Sequence, residues 1–380
     1  MNIEQKKFSA VKGWETLSNG AFDPAFCNVV LAFGSTAIFE DPAIYEYIKK
    51  RYPNADVIMN STAGEIYDVQ VNEDTISLTA IQFEKTTIKT AIAQIDVMDN
   101  SREAGRSLAN ALDHIDLRNV FVISDGQKVN GSELVQGLQE CLPKDTIITG
   151  GLAGDGSRFE KTLVGLNEAP IEGRIVIIGF YGNNLSVNYG SVGGWDAFGP
   201  ERLITKSNAN VLYELDGKAA LDIYKLYLGE YGNELPGSGL LFPLSIRATG
   251  SEELIVRTIL RVDEEKKSLT FAGNMPEGAY ARLMKANFDR LIEGASRAAQ
   301  DSTNGNVKHP ELAILISCVG RKLVLNQRIE EEVEVVRTIY GNDTALTGFY
   351  SYGEISPSSN FMKCELHNQT MTITTFSENE

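Results

Sequence analysis

Two stretches of this chain pair hydroxyls and a glycine with a carboxylate behind an apolar run. They are Ser61-Thr62-Ala63-Gly64-Glu65-Ile66 and, near the other end, Tyr350-Ser351-Tyr352-Gly353-Glu354-Ile355. A glycine-rich segment, Gly150-Gly151-Leu152-Ala153-Gly154-Asp155-Gly156, lies between them, and Arg321 follows Cys318-Val319-Gly320. Such groups at strand ends orient a small polar or zwitterionic molecule. For an amino acid, Arg321 would take the carboxylate and Glu65 or Glu354 the ammonium. The expected ligand-facing set is Ser61, Thr62, Gly64, Glu65, Gly151, Gly154, Asp155, Cys318, Arg321, Tyr350, Tyr352 and Glu354.

Other chemistries fit these residues less well. A phosphate loop needs a Lys after its last glycine, whereas Gly156 precedes Ser157-Arg158. A dinucleotide fingerprint needs a helix after the glycines, and residues 158–166 read as a strand. The glycines therefore point to a tight turn where backbone meets backbone, or to a small ligand. A Cys or Ser nucleophile wants a nearby His. The histidines are His114, on an amphipathic helix, His309, in a polar loop, and His367, in "CELHNQTMTIT". Arg321 could activate Cys318 as a thiolate. An enzyme acting through Cys318 or Ser61 on a small acyl substrate is thus the alternative to a non-catalytic binding protein. Scattered histidines and cysteines make a poor metal set.

Composition narrows the class. Of 380 residues 43% are hydrophobic, and the formal net charge is −16 without a Lys/Arg cluster, so nucleic acid is not expected as a partner. The start, MNIEQKKFSAVKGW, has no signal-peptide core, and no window reaches the run of apolar residues that spans a membrane. A cytoplasmic protein is expected.

The elements that must position these residues alternate. Residues 28–33 read as a strand buried on both faces, 41–51 as a helix opened by Asp41-Pro42, and 56–60 as a second strand. Residues 75–83 and 87–95 read as a hairpin, 101–115 and 132–142 as helices, and 120–124 and 146–149 as strands. Strands are expected at 160–166, 173–181 and 185–192, the last two joined by a turn at 182–184. A hairpin over 254–272 is followed by a long helix from Pro276 to about Gln300, with Met284, Phe288, Leu291 and Ala295 as its apolar stripe. A strand at 312–317, a helix at 321–337 and a strand at 344–350 come last before two further strands. Strand, helix, strand and Gly-Glu-Ile recur at both ends, which implies an internal duplication. The fold class is α/β, with two domains of mixed β-sheets flanked by helices, over 25–218 and 219–375.

The chain resembles the FIST proteins, a bacterial sensory family named for F-box and intracellular signal transduction. The resemblance runs from about residue 28 to 375 and rests on "STAGEI" (61–66), "GGLAGDGSRF" (150–159), "ALDIYKLYLG" (220–229), "AGNMPEGA" (272–279), "SCVGRKLVLNQRIEEE" (317–332), "TGFYSYGEISP" (347–357) and "ELHNQTMTITT" (365–375). Many members place Gly-Cys where this chain has Met59-Asn60. The resemblance implies a sensor that binds a small ligand, amino acids being one suggestion, and passes its state to a separate signalling protein. Stand-alone members of similar layout sense nitric oxide through haem and regulate a histidine kinase or a cyclic-di-GMP enzyme. On that reading a b-type haem would bind, with His367 as the candidate axial ligand and Tyr350, Tyr352 and the cysteines as alternative donors.

Overall fold

Most inner strands are continuous apolar runs, such as residues 29–33 and 312–316, so each strand can bury both faces. The computed structural model describes residues 1–19, 22–248, 250, 254–303, 309–358 and 363–379, and shows where those faces go. A first unit comprises strand β1 (Val29–Gly34), helix α1 (Pro42–Arg51), β2 (Asp56–Ser61), the short β3 (Glu65–Tyr67) and the return strand β4 (Thr75–Gln82). A second comprises β5 (Leu117–Ser124), α2 (Gly131–Cys141), β6 (Ile147–Leu152), β7 (Val164–Leu166) and β8 (Arg174–Tyr181). A third comprises β9 (Leu312–Cys318), α3 (Val319–Leu325), α4 (Glu331–Tyr340), β10 (Ala345–Ser351), β11 (Gly353–Pro357) and β12 (Met371–Glu378).

The units share one pattern. The first two strands pair in parallel (β1/β2, β5/β6, β9/β10), and the return strand pairs antiparallel to the first. The short strand after the second crosses into a neighbouring sheet: β3 pairs with β10, β11 with β6 and β7 with β2. Each of these sheets therefore holds a strand lent by another unit. The duplication expected between the chain ends is present, and residues 117–181 form a third copy.

The alternation sorts each strand between two layers. Leu31 and Phe33, Phe121 and Ile123, and Ile314 and Ile316 meet in one central core, where the Phe33 and Phe349 rings lie 4.9 Å apart. Val30 and Ala32 face outward onto Ile44 and Ile48 of α1. Val120 and Val122 face Leu134 and Leu138 of α2, and Ala313 and Leu315 face Val333 and Val336 of α4.

Several local expectations change. Residues 75–82 and 87–94 are consecutive strands but not a paired hairpin, since Thr87–Gln94 pairs with β8. Likewise Leu185–Val192 leaves β8 and pairs with β12. These short connections step from sheet to sheet. The long helix begins only at Phe288 and runs to Asp301, because Asn287 caps it by accepting from the Arg290 amide. Met284 sits on the strand Tyr280–Ala286 before it, and Phe288 is half exposed. The helix expected at 321–337 is split at Asn326, whose φ is 49°. The strand expected at 160–166 is confined to β7.

Between the second and third units the chain builds an antiparallel lobe, residues 195–286, with its own apolar core including Leu212, Tyr224 and Leu269. The boundary expected at 218/219 lies in this lobe, where Val211–Leu215 pairs with Lys218–Ala219.

Candidate functional site

The loop after β2 and the glycine-rich loop after β6 are joined along their backbones. The Gly154 amide donates to Ser61 O at 2.9 Å, the Gly156 amide to Thr62 O at 3.0 Å, and the Ser61 hydroxyl to Gly154 O at 2.7 Å. A Cβ on Gly154 would stand 2.6 Å from the Ala63 nitrogen. The glycine is there because backbone approaches backbone, as its sequence context suggested. Tyr350 closes the other side, exchanging hydrogen bonds of 2.8 Å with Ala63 and Gly64.

Glu65 and Glu354 occupy matching places in their loops. One Glu65 oxygen accepts from the Thr62 hydroxyl at 2.6 Å, and the other accepts from the Thr75 amide and hydroxyl at 3.2 and 2.8 Å. Glu354 accepts from the Ser351 hydroxyl at 2.6 Å and from the Thr370 amide and hydroxyl at 3.2 and 2.9 Å. Each carboxyl thus ties its loop to the start of the return strand. Burial raises Glu65 to about 7 and Glu354 to about 8, outweighing these hydrogen bonds and the charges of Lys322 and Arg321 respectively.

Arg321 has a different place from the one expected. It is fully buried, and its Nε and Nη2 bond Glu332 at 3.1 and 2.8 Å. Nη1 and Nη2 also donate to the carbonyls of Gly193 and Leu291 at 2.5 and 2.7 Å. With its donors engaged by the protein, Arg321 is a structural brace and not a receptor for a ligand carboxylate. Tyr350 belongs to the same network, donating to Glu332 at 2.6 Å. Asp155 accepts from the Thr36 hydroxyl at 2.6 Å and from Arg158 Nε at 3.1 Å. Tyr352 donates to Gly156 O at 3.2 Å and stacks on Phe159, with centroids 4.4 Å apart. Gly151 pairs with Glu354 across β6 and β11.

What remains accessible is a crevice of about 130 Å³ along the joined loops, lined by Thr62, Gly64 and Glu65 together with Ser35, Glu73, Asp74, Arg158 and Lys322. Lys322 donates to Ala63 O at 2.7 Å, ion-pairs with Glu73 and lies over the Tyr350 ring at 5.9 Å. Sequence reasoning chose Arg321 and missed its neighbour. One step around α3 turns a side chain by about 100°, so Arg321 enters the core while Lys322 reaches the crevice.

Cys318 and Ser61, the groups considered for catalysis, are buried. Burial pushes the Cys318 thiol well up, which disfavours the thiolate. The Ser61 hydroxyl donates to Gly154 O and accepts from the Leu163 amide at 2.8 Å. His367 Nε2 sits 3.1 Å from Ser356 O, and burial lowers its pKa to about 4. It does not line the larger crevice of about 510 Å³ described below. With Nε2 placed at Ser356 O, Nδ1 is the ring nitrogen that would be left to meet a haem iron. Among the described residues, no group of three or more His, Cys, Asp and Glu is placed to hold a metal, and no helix is long and apolar enough to cross a membrane.

The FIST N domain profile matches residues 28–218, and the FIST C domain profile matches 220–357. The chain belongs to the FIST family. FIST domains are sensory domains of signal-transduction proteins and bind small ligands. In this FIST chain the two matched regions interleave, because β3 of the first pairs with β10 of the second and β11 of the second pairs with β6 of the first. An uncharacterized protein of Methanocaldococcus jannaschii is 23% identical over 340 residues, covering 82% of this chain and 62% of that protein. The chain thus spans under two thirds of the length of the curated relative it matches. Among solved structures, a cyanuric acid hydrolase from A. caulinodans aligns over 100% of this chain and 99% of its own, at 8% identity and a TM-score of 0.37.

Proposed function

We propose that this FIST protein is a non-catalytic sensor whose ligand is a small amino acid seated in the crevice between the loop after β2 and the loop after β6. The observation that carries the reading is the presence of both charge signs around that small space. Lys322 and Arg158 offer cations and Glu73 and Asp74 carboxylates, with the Thr62–Glu65 backbone as the floor. Lys322 would exchange Glu73 for the ligand carboxylate, and Glu73 or Asp74 would meet the ammonium. The volume of about 130 Å³ favours short side chains. The ligand state would pass to a separate histidine kinase or cyclic-di-GMP enzyme. The buried thiol of Cys318 and the doubly bonded hydroxyl of Ser61 favour this reading over acyl chemistry, and the setting of His367 favours it over haem-based nitric oxide sensing.

Isothermal titration against the standard amino acids tests it. At least one should bind saturably, with affinity reduced about tenfold or more in Lys322→Ala, the expected effect of losing one charge-assisted contact. No heat from any amino acid, or equal affinity in the variant, would overturn it.

A further inference from the structure

A second, larger crevice than the one between the loops lies between α2 and the antiparallel lobe, with a volume of about 510 Å³. Its wall includes Arg257, 4% exposed, on the lobe strand Ile255–Arg257. Arg257 Nη1 donates to Leu366 O at 2.7 Å and Nε to Asn274 O at 3.4 Å. Among the described residues Nη2 has no acceptor, and no carboxylate forms an ion pair with the guanidinium. Burial lowers this guanidinium to about 10, against the opposing charge of Glu365 on the same crevice wall.

A second donor stands beside it. Ser132, in the first turn of α2, accepts from the Asn274 amide at 3.4 Å, and its hydroxyl proton is uncommitted among the described residues. A Cβ on Gly273 would stand 2.8 Å from both Arg257 Nε and Ser132 Oγ, so a side chain there would push the two groups aside. Asn274 fixes the arrangement by donating to Glu133 at 2.7 Å and accepting from Asn130, the residue that caps α2, at 3.0 Å. The "AGN" of residues 272–274 and Leu366 of the "ELHNQ" segment therefore converge on one guanidinium. Val135, Ile246, Ile255 and Pro276 supply apolar wall next to it.

We propose that this crevice is a second ligand site, which binds a small organic carboxylate with an apolar body. The carboxylate accepts from Arg257 Nη2 and the Ser132 hydroxyl, and the apolar body lies against Val135, Ile246 and Ile255. The occupant touches both α2 and the lobe, so it would hold the two together. This site shares no residue with the amino-acid crevice.

The test is titration of the full chain with butyrate, hexanoate, octanoate and phenylacetate, with the corresponding neutral amides as controls. At least one carboxylate should bind saturably and its amide should not. Arg257→Met should weaken binding about tenfold or more. Gln136→Trp, at an exposed position on the crevice wall, should do the same without touching the core. Lys322→Ala should leave this binding unchanged, which separates failure here from failure of the amino-acid reading. No binding of any of the four acids at millimolar concentration would overturn the proposal, as would equal binding of the amides or wild-type affinity in Gln136→Trp.

Discussion

Arg321 shows why a charged residue in a suggestive loop is ambiguous at the scale of single residues. Its guanidinium joins α3, α4 and the carbonyls of Gly193 and Leu291. Removing one partner of a buried ion pair strands the other, so Arg321→Ala should cost about 3–5 kcal/mol of stability by denaturant unfolding. Arg321→Met combined with Glu332→Leu should cost much less. Glu65 and Glu354 give a pH signature. Their folded values of about 7 and about 8 exceed the ordinary 4.5, so the folded chain holds protons that the unfolded chain releases. Stability should therefore fall as pH rises from about 4.5 towards 8 and then level off, the fall being partly offset below about 6.5 by His367, whose lowered folded value acts in the opposite sense. Glu354→Gln should flatten the upper part of that slope, read as urea midpoints across the pH range. A rising slope in the wild type would contradict the assignment.

The element that decides the site is the pair of loops zipped through Gly154. Gly154→Ala places its Cβ against the Ala63 backbone nitrogen, and such overpacking should cost about 2–3 kcal/mol. Gly237→Ala, where nothing lies within 4 Å, is the near-neutral control. Thermal unfolding distinguishes the two. The first and third units could be read in the sequence, since strand, helix, strand and Gly-Glu-Ile recur in order. The second could not, because residues 153–163 separate β6 from β7, where only 62–64 separate β2 from β3, and Val164 stands at the place of Glu65. The apparent hairpins were misread for another reason. Strands adjacent in sequence and suited to pairing were given other partners by the closure of the sheets around one core. In the site itself, hydroxyls, glycines and carboxylates were found, but which were already satisfied depended on partners distant in sequence, such as Glu332 and Thr370.

Across the whole molecule, lending strands makes the two FIST regions interdependent. A fragment of residues 25–218 would leave β3 without β10 and Leu185–Val192 without β12. It should lack fixed tertiary packing, seen as lost near-ultraviolet circular dichroism, whereas a cooperative unfolding transition in that fragment would contradict the shared-core description. The same interleaving puts the crevice beside Lys322 where strand ends of more than one unit meet, so the ligand proposed there would bias their packing. Hydrogen–deuterium exchange with and without each amino acid at saturating concentration tests this central claim most directly. The account predicts that the amino acid that binds slows exchange in 61–75, 154–163 and 319–325, and that Lys322→Ala abolishes the effect. Unchanged exchange in those segments, or protection confined to 130–140 and 255–276, would contradict it.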